Sequence, residues 1–389
     1  MSDKKRIILL GATGSIGQNT CKVVARHSDR LEIAGAACDT SYEKLAEIAR
    51  AFSIPKVAIF NSDAAEKARS SELFPKNTEI VSGMSGLIEL AGMEDGDLVV
   101  SAVVGTLGLK PTLAAIEAGK EIALASKEIL VLAGKFITEA AREQNVRILP
   151  IDSEHNALFQ CLHGQKMSDV AKLIITASGG AFRDLPLNKL AEVTPEEALE
   201  HPVWEMGPKV TVDSATMANK GLELIEAHWL FDVPSDKLEV TIHPQSIVHS
   251  LVEFKDGSIL SQMSPPSMTF AIQHALLYPE RRPGVDRGLD FSKTFSLEFL
   301  PVEADRYPCL QLARDAMESG GVAPAIFNAA NEVAVDAFLA KQLGYLEIPS
   351  IIRSTLERSN LFEPDSLDAV LEADAAARRE AQLLINAHV

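Results

Sequence analysis

The stretch IILLGATGSIG, residues 7–17, decides the fold of the first part of the chain. Its four leading apolar residues predict a short buried strand, and a helix pattern follows the glycines to about His27. Glycines at positions 11, 14 and 17 form a G-x-x-G-x-x-G turn. Such a turn lets the backbone approach a pyrophosphate, while the helix N-terminus offers free N–H groups to the anion. The placement therefore predicts dinucleotide binding and disfavours a tight turn without a ligand.

Strand and helix patterns continue to alternate up to about residue 150. The further predicted strands cover residues 31–37, 57–60, 98–104, 122–125 and 146–151. Alternation of this kind predicts a parallel sheet with helices on both faces. We therefore predict an α/β fold whose residues 1–150 form a Rossmann-like, dinucleotide-binding domain.

The end of the second predicted strand bears on the choice of nicotinamide coenzyme. Cys38, Asp39 and Thr40 stand there and are candidate cofactor contacts. An acid at this point holds the ribose hydroxyls, whereas a base accommodates a 2′-phosphate. By that rule alone, Asp39 favours the unphosphorylated coenzyme.

The remainder of the chain predicts two further domains and a linker. Residues 151–278 have a mixed α+β pattern, with strands at 173–177 and 210–212 and a helix over 217–231. LEVTIHP (238–244), IVHSLVEF (247–254) and SILSQM (258–263) are typical of antiparallel strands with a hairpin at Asp256-Gly257. Residues 279–308 are predicted to be a linker. Residues 309–389 are predicted to be a helical bundle domain, with helices at 323–340, 350–360 and 366–385.

Composition narrows the class of protein. A formal net charge of -17 over 389 residues argues against nucleic acid as a partner, although a local basic pocket could still bind a small anion. The four cysteines are far apart and form no C-x-x-C pair, so they are predicted to be reduced, as in a cytoplasmic protein. No apolar run is long enough to span a membrane, and the first strand leaves no room for a signal peptide.

The segment LPIDSEHNALFQ, residues 149–160, places two carboxylates close together. If Asp152 and Glu154 extended the preceding strand, they would point the same way and would repel unless a cation lay between them. Mg²⁺ or Mn²⁺ suits ligands of this kind. The equally weighted alternative is that Asp152 caps the next helix while Glu154 faces water.

Two shorter motifs follow predicted strands at the ligand-binding edge of a sheet. Lys127 lies in ASKE (125–128), and Ser178 lies in TASGG (176–180), a combination of hydroxyl and flexible backbone that can cradle an anion. Neither motif is specific alone, because a surface lysine and a simple turn are the default interpretations.

The segment VDSATMANKGLE, residues 212–223, is the densest in polar groups. Ser214 is predicted to precede a helix on which Asn219, Lys220 and Glu223 share one face. A phosphate would suit Ser214, Asn219 and Lys220, and Glu223 could be a third carboxylate for the cation. The alternative is a surface Lys220–Glu223 ion pair of about 0.3–0.5 kcal/mol.

The segment HPVWEMGPK, residues 201–209, predicts an exposed loop. A tryptophan there is costly unless it covers something, so we interpret the loop with His201 and Trp204 as a lid over a substrate. Packing of Trp204 on a neighbouring domain is the alternative. His243 and His249 have apolar neighbours and are predicted to be structural.

Taken in order, these motifs resemble the 1-deoxy-D-xylulose 5-phosphate reductoisomerase family. The resemblance runs from about residue 6 to beyond residue 280, and VDSATMANKGLE and LPIDSEHNA are its most specific parts. It implies NADPH- and divalent-metal-dependent rearrangement and reduction of that sugar phosphate to 2-C-methyl-D-erythritol 4-phosphate, in non-mevalonate isoprenoid synthesis. It also implies Mg²⁺ or Mn²⁺ as the metal and a homodimer.

By matching position, the resemblance implies roles for individual residues. The metal would be bound by Asp152, Glu154 and Glu223, which with Lys127 would be the catalytic set. The substrate's ketone and hydroxyl end would face Lys127, Ser153 and Glu154. Its phosphate end would meet Ser178, Ser214, Asn219 and Lys220, with His201 beside it under the loop of Trp204 and Met206. The cofactor would contact Thr13, Gly14, Ser15, Ile16, Ser126, Glu128 and Gly207.

The sequence departs from the family pattern at three positions. Ser126 replaces the usual asparagine before the lysine, and Ser267 replaces the usual aspartate of a P-D-M motif. Asp39 stands where many members place a lysine or an uncharged residue, yet the resemblance still implies NADPH. Two rival functions remain open: a metal-independent NAD(P) dehydrogenase of another sugar phosphate, and a non-catalytic dinucleotide-binding protein.

Overall fold

The computed structural model describes residues 4–204 and 206–388. They form two compact units. The first comprises the chain up to Ile129 together with Phe136–Asn156 and Ser267–Gly288. The second comprises Leu130–Lys135, Ala157–Pro266 and the chain from Leu289 onward. These two units are defined by compactness alone, and their limits differ from the predicted domain boundaries at residues 150, 278 and 308. Those boundaries were drawn partly from expected function, so they stay a prediction.

The first unit is built on a parallel sheet, as predicted, and this sheet has seven strands. Its strands are β1 (Lys5–Leu10), β2 (Leu31–Cys38), β3 (Lys56–Ile59), β4 (Glu79–Ser82), β5 (Leu98–Ser101), β6 (Glu121–Leu124) and β7 (Ile148–Pro150), in the order β4-β3-β2-β1-β5-β6-β7. The strand order reverses between β1 and β5, and such a switch point opens a ligand crevice at the carboxyl ends. Strand β4 was not predicted, because its four residues carry only a short, half-exposed apolar pattern at the sheet edge.

Helices alternate with these strands along the chain. They are α1 (Ser15–Arg26), α2 (Tyr42–Phe52), α3 (Ser62–Ser70), α4 (Gly83–Gly92), α5 (Leu109–Glu117), α6 (Glu128–Glu143) and α7 (Ser153–Leu162). The isoleucines and leucines of β1 are fully buried beneath them. Helix α6 is kinked at Ala133, where the backbone leaves the helical region.

The second unit contains a four-stranded mixed sheet. It also contains three helices from the part of the chain that holds or adjoins the predicted site residues 201–223. The strands are β8 (Val170–Ala177), β9 (Leu238–Ile242), β10 (Val248–Phe254) and β11 (Ile259–Met263), and the helices are α8 (Pro195–Ala198), α9 (Pro208–Thr216) and α10 (Ala218–Phe231). The predicted β10–β11 hairpin is confirmed. The prediction for β9 was wrong, since β9 pairs in parallel with β8 rather than antiparallel with β10.

The predicted strand at residues 210–212 was also wrong. Those residues lie inside α9, although the β-branched pair at 210 and 212 favours a strand. Gly207 occupies the N-cap position and Pro208 the first helical position, which is where proline starts a helix well. Met217, with φ +58°, then separates α9 from α10.

The remaining elements are helical. Helix α11 (Met268–Leu277) belongs to the first unit and packs on α1. Helices α12 (Pro308–Ser319), α13 (Ala323–Leu339), α14 (Ile348–Arg358) and α15 (Leu367–His388) form the predicted C-terminal bundle within the second unit. None of the described helices is both long and apolar enough to cross a membrane. The four cysteines are free thiols, as predicted.

Candidate active site

The glycine turn has the geometry that an anion-binding turn requires. Gly11 has φ +86°, and a Cβ there would lie 2.3 Å from the Ala102 carbonyl oxygen. A Cβ on Gly17 would lie 2.4 Å from the carbonyl oxygens of Gly11 and Ala12, so strand and helix pack without room for a side chain. Gly14 is exposed at the N-cap of α1 and leaves space over the helix N-terminus. The turn thus leaves free backbone N–H groups available to an anion.

The other predicted cofactor residues of the first unit also lie at strand ends. Cys38 is the buried last residue of β2, and Asp39 and Thr40 are exposed just beyond it. The hydroxyl of Ser126, after β6, donates to the Val103 carbonyl at 2.5 Å and so ties the ends of β5 and β6 together. Thr13, Ser15, Ile16 and Glu128 lie at the N-termini of α1 and α6, and Gly207 lies in the second unit.

The carboxylate pair is close together, but not for the predicted reason. Strand β7 ends at Pro150, and Glu154 lies in the first turn of α7, so the two residues do not alternate along a strand. Asp152 Oδ1 accepts the Glu154 backbone N–H at 3.2 Å, which is a helix-capping bond. One oxygen of Asp152 and one of Glu154 nevertheless lie within 4.8 Å of each other. Capping and cation binding are therefore compatible here.

A lysine and a histidine lie against Asp152. Lys127 Nζ lies 2.7 Å from Asp152 Oδ2, and His155 Nδ1 lies 3.3 Å from Asp152 Oδ1. The hydroxyl of Ser153 donates to Glu154 Oε2 at 2.5 Å. Lys127 and Asp152 are almost entirely removed from solvent, so this ion pair is much less screened than a surface pair. His155 was not predicted as a neighbour of Asp152, although its i,i+3 spacing on a helix is a detectable signal.

In the second unit, Ser178 and His201 form a hydrogen-bonded pair. Nδ1 of His201 accepts the backbone N–H groups of Val203 and Trp204, at 3.1 and 2.9 Å. The neutral ring must then carry its proton on Nε2, which donates to the Ser178 hydroxyl oxygen at 2.9 Å. That oxygen also accepts the Gly180 N–H at 3.1 Å. With both lone pairs engaged, Ser178 can only donate its own proton to a further group.

His201 stays neutral at physiological pH. Burial, with a smaller contribution from the cations Lys220 and Arg183, lowers the pKa of its imidazole to about 4. A neutral ring preserves both bonds from the Val203 and Trp204 backbone, since a protonated Nδ1 could not accept them. The start of the predicted lid is therefore attached to the loop of Ser178. Trp204 itself is half-buried, with its ring 6.4 Å from that of His249.

The predicted polar face of α10 is confirmed, and it is buried rather than exposed. Glu223, which is 1% exposed, accepts Asn219 Nδ2 at 2.5 Å and Lys220 Nζ at 2.6 Å. The interpretation of a surface Lys220–Glu223 pair was wrong, because Lys220 is also buried. Burying an ion pair is expensive, and the bond from Asn219 helps to offset that cost, so this buried polar cluster is preorganised.

Ser214 precedes α10, as predicted, and itself lies on α9. It is half-buried, two residues before the last residue of α9. A Cβ on Gly180 would lie 2.6 Å from the Ser214 carbonyl oxygen, so the TASGG loop packs directly on this part of α9. Ser178 and Ser214 are thereby brought to neighbouring positions.

The structural predictions for the histidines outside this cluster are confirmed. The His243 ring bonds the Glu298 carbonyl at 2.8 Å, and the His249 ring contacts the Ser264 hydroxyl at 2.9 Å. Sequence reasoning missed Arg183, whose Nη1 donates to the Ser178 carbonyl at 2.8 Å. An arginine that binds a backbone carbonyl leaves no pattern in the sequence.

Comparisons with known proteins agree on one family. A 1-deoxy-D-xylulose 5-phosphate reductoisomerase model matches residues 7–134, and two C-terminal domain models of the same enzyme match residues 148–231 and 263–380. The reductoisomerase of Heliobacterium modesticaldum is 51% identical over 378 residues, covering 96% of each chain. That of Ralstonia nicotianae is 49% identical and covers 98% of each chain.

Solved structures give the same result. The Zymomonas mobilis reductoisomerase in complex with NADPH has a TM-score of 0.92 at 42% identity and covers 98% of this chain and 99% of its own. A DOX-P reductoisomerase in complex with NADPH, fosmidomycin and magnesium has a TM-score of 0.92 at 40% identity, covering 98% of each chain.

Proposed function

Because the chain belongs to the 1-deoxy-D-xylulose 5-phosphate reductoisomerase family, we propose that the residues described above carry out that family's reaction in this protein. The enzyme converts 1-deoxy-D-xylulose 5-phosphate to 2-C-methyl-D-erythritol 4-phosphate with NADPH and a divalent metal, in isoprenoid synthesis. The observation that carries this conclusion is full-length similarity to a reductoisomerase that binds both NADPH and magnesium. The assignments of individual residues below are proposals.

Asp152, Glu154 and Glu223 are proposed to bind the metal. The donor set fits Mg²⁺ or Mn²⁺, since carboxylate oxygens are the ligands that hard cations prefer. Oxygens of Asp152 and Glu154 already lie close together, and the ion pair with Lys127 orients Asp152. A bound cation would act as a Lewis acid on the substrate's ketone and hydroxyl oxygens. Lys127 and Ser153 are proposed to donate to the same end of the substrate.

The phosphate end is proposed to lie against Ser178, Ser214, Asn219 and Lys220. The hydroxyl of Ser178 can only donate outward, which suits a phosphate oxygen. Lys220 supplies a buried positive charge, and neutral His201 fixes the orientation of Ser178. Anchoring one end of the substrate fixes its reacting carbons against the nicotinamide. The loop with Trp204 and Met206 is proposed to close over it and exclude water.

The cofactor is proposed to lie along the glycine turn. Thr13, Gly14, Ser15 and Ile16 would bind its phosphates at the start of α1. Asp39 is exposed, so its charge is screened and its side chain can turn toward solvent. NADPH, which supplies the hydride, is the coenzyme of the family, and Asp39 does not override it. Ser126, Glu128, Gly207, Cys38 and Thr40 remain proposed cofactor contacts.

An absorbance assay tests the function directly. Adding the sugar phosphate to enzyme, Mn²⁺ and NADPH is expected to oxidise the nicotinamide, and EDTA is expected to abolish the reaction. NADH is expected to give a much lower kcat/KM. Full activity in EDTA would support a metal-independent dehydrogenase instead. Cofactor binding without oxidation would support a non-catalytic protein.

A homodimer is proposed from the surface of the second unit. Strand β11 is at the edge of its sheet, paired on one side only, and Ile259 and Leu260 on it are 51% and 43% exposed. Phe291 and Phe295 pack on each other and are also exposed. An open apolar edge strand favours association with another chain, and a second copy of this chain is the proposed partner.

Light scattering after gel filtration tests the dimer. The wild type is expected to have twice the mass of the 389-residue chain. Leu260→Lys is expected to shift it toward the monomer, because a charge on an edge strand opposes pairing. Leu383→Lys, at another exposed leucine, is the matched control and should leave the mass unchanged. A monomeric wild type would contradict the proposal.

Two further proposals concern the whole chain. We retain the division into an NADPH-binding domain (1–150), a catalytic and dimerisation domain (151–278), a linker (279–308) and a helical domain (309–389). A cytoplasmic location is also retained as a proposal, because all four cysteines are free thiols. Burial raises the thiol pKa of each of them, Cys21, Cys38, Cys161 and Cys309.

A further inference from the structure

The loop of residues 178–180 is held by its carbonyl groups. Arg183 Nη1 donates to the Ser178 carbonyl at 2.8 Å, and the Tyr307 hydroxyl donates to the Gly179 carbonyl at 2.9 Å. Burial raises the pKa of Tyr307 to about 12, so this hydroxyl stays a donor. Neither side chain bonds the Ser178 hydroxyl, so both act on the backbone alone.

Holding a carbonyl also orients the next N–H group. In a trans peptide the C=O and the following N–H point in opposite directions. The bond to the Ser178 carbonyl therefore turns the Gly179 N–H away from Arg183. Gly179 is buried, and among the described residues its N–H has no acceptor. A buried N–H without a partner is rare, and it indicates a missing ligand on that side of the loop.

Arg183 itself has little freedom. Its Nε and Nη2 atoms bind the Asp184 carboxylate at 3.2 and 2.8 Å, so both edges of the guanidinium are engaged. Its aliphatic stem covers Gly179, where a Cβ would lie 2.8 Å from Arg183 Cγ and Cδ. Gly179 has φ +85°, a conformation that non-glycine residues rarely adopt. The left-handed turn and the arginine over it therefore form one rigid unit.

We propose that Arg183, together with Tyr307, is a positioning residue that aims the Gly179 N–H and the Ser178 hydroxyl at the phosphate monoester of the substrate. The inference rests on the proposed phosphate role of Ser178. It adds a backbone donor to that site and explains why an arginine beside it contacts a carbonyl. Arg183 acts through the loop and does not itself touch the phosphate.

The test is steady-state kinetics of Arg183→Met and Tyr307→Phe. Arg183→Met is expected to raise the KM for the sugar phosphate about tenfold, as for a lost bond to a charged group. Its kcat and its KM for NADPH are expected to change less than about twofold, because the reacting carbons and the cofactor contacts are untouched. Tyr307→Phe should raise the same KM by a smaller factor. Arg314→Met is the matched control, since Arg314 similarly binds the Ser235 and Leu238 carbonyls in the same unit, and it should leave all KM values unchanged.

A double mutant separates this inference from the phosphate site itself. Arg183→Met and Ser178→Ala should be non-additive in KM, because one residue acts through the other. If Ser178→Ala alone leaves KM unchanged, the proposed phosphate site is wrong. If Ser178→Ala raises KM and Arg183→Met does not, only the positioning role is wrong. Direct phosphate binding by Arg183 would also overturn it, and would be seen as rescue by Arg183→Lys with no effect of Tyr307→Phe.

An NMR titration of His201 gives a readout that general destabilisation would not move. Removing the Arg183 charge is expected to raise the pKa of His201 from about 4, whereas Tyr307→Phe should leave it there. An unchanged His201 pKa in Arg183→Met would show that the guanidinium is not held beside this loop in solution.

Discussion

Glu223→Gln is expected to lower kcat by about a thousandfold at saturating Mn²⁺, because a Lewis acid contributes several kcal/mol and about 1.4 kcal/mol corresponds to tenfold. The substitution keeps the shape of the side chain but removes the charge that would bind the cation. It also places an NH₂ group opposite Asn219 Nδ2 or Lys220 Nζ, both of which now donate to the carboxylate. The affinity for Mn²⁺, measured by calorimetry, should fall with kcat.

The control must separate metal binding from loss of a buried carboxylate. Glu332 on α13 offers a close match, since it accepts Asn328 Nδ2 at 3.1 Å with the same i,i+4 spacing and Arg378 Nη2 at 2.6 Å. Glu332→Gln should lower the melting temperature yet leave kcat and Mn²⁺ affinity unchanged. If Glu223→Gln behaves like Glu332→Gln in both measurements, Glu223 does not bind the metal.

The N-terminal fold could be predicted because its signals are local. The glycine turn lies between a strand and a helix that are contiguous in sequence, and the steric reason for Gly11 and Gly17 is visible as soon as the backbone is built. The face shared by Asn219, Lys220 and Glu223 could also be predicted, since helical periodicity alone places them together. Patterns of this kind need no knowledge of distant partners.

The wrong predictions for β9, α9 and Glu154 have two causes. Some structure depends on partners far away in sequence, and some depends on which of two competing local preferences prevails. Strand β9 has an ordinary strand pattern, but its pairing with β8 across about 60 residues cannot be read from either segment. Helix α9 forms over β-branched residues because Gly207 and Pro208 start it and the surrounding core buries Val212. Glu154 joins a helix because Asp152 caps it, so the strand argument gave the correct proximity for the wrong reason.

Ser267 shows how a departure from a family pattern can be explained only with the structure. Its hydroxyl caps α11 by accepting the Thr269 N–H at 3.3 Å and donates to Asp286 at 2.6 Å. Thr269 donates to the same Asp286 oxygen at 2.7 Å, and these bonds lower the pKa of Asp286. A serine therefore serves as the helix cap, with the carboxylate supplied from a residue 19 positions later.

Lys220→Ala is expected to lower kcat/KM for the phosphorylated substrate by two to three orders of magnitude, since truncating one side of a buried charge pair costs about 2–5 kcal/mol. Lys220 is a buried cation on α10, and the structure pairs it with Glu223. A phosphate dianion arriving at Lys220 would share its charge, leaving Glu223 freer to bind the cation. The loss should therefore appear mainly in KM for the sugar phosphate.

The dephosphorylated analogue decides whether Lys220 binds phosphate or only supports Glu223. Disruption of Glu223 would reduce turnover of both substrates equally, whereas a lost phosphate contact would spare the analogue. Inorganic phosphate should likewise inhibit the wild type competitively and Lys220→Ala far more weakly. Lys120→Ala, which removes a buried lysine bonded to the Gly96 carbonyl at 2.7 Å in the first unit, should lower stability without changing the ratio between the two substrates. Equal losses on both substrates in Lys220→Ala would contradict the phosphate role. The analogue has no phosphate, so a residue that acts only by binding phosphate cannot affect its turnover.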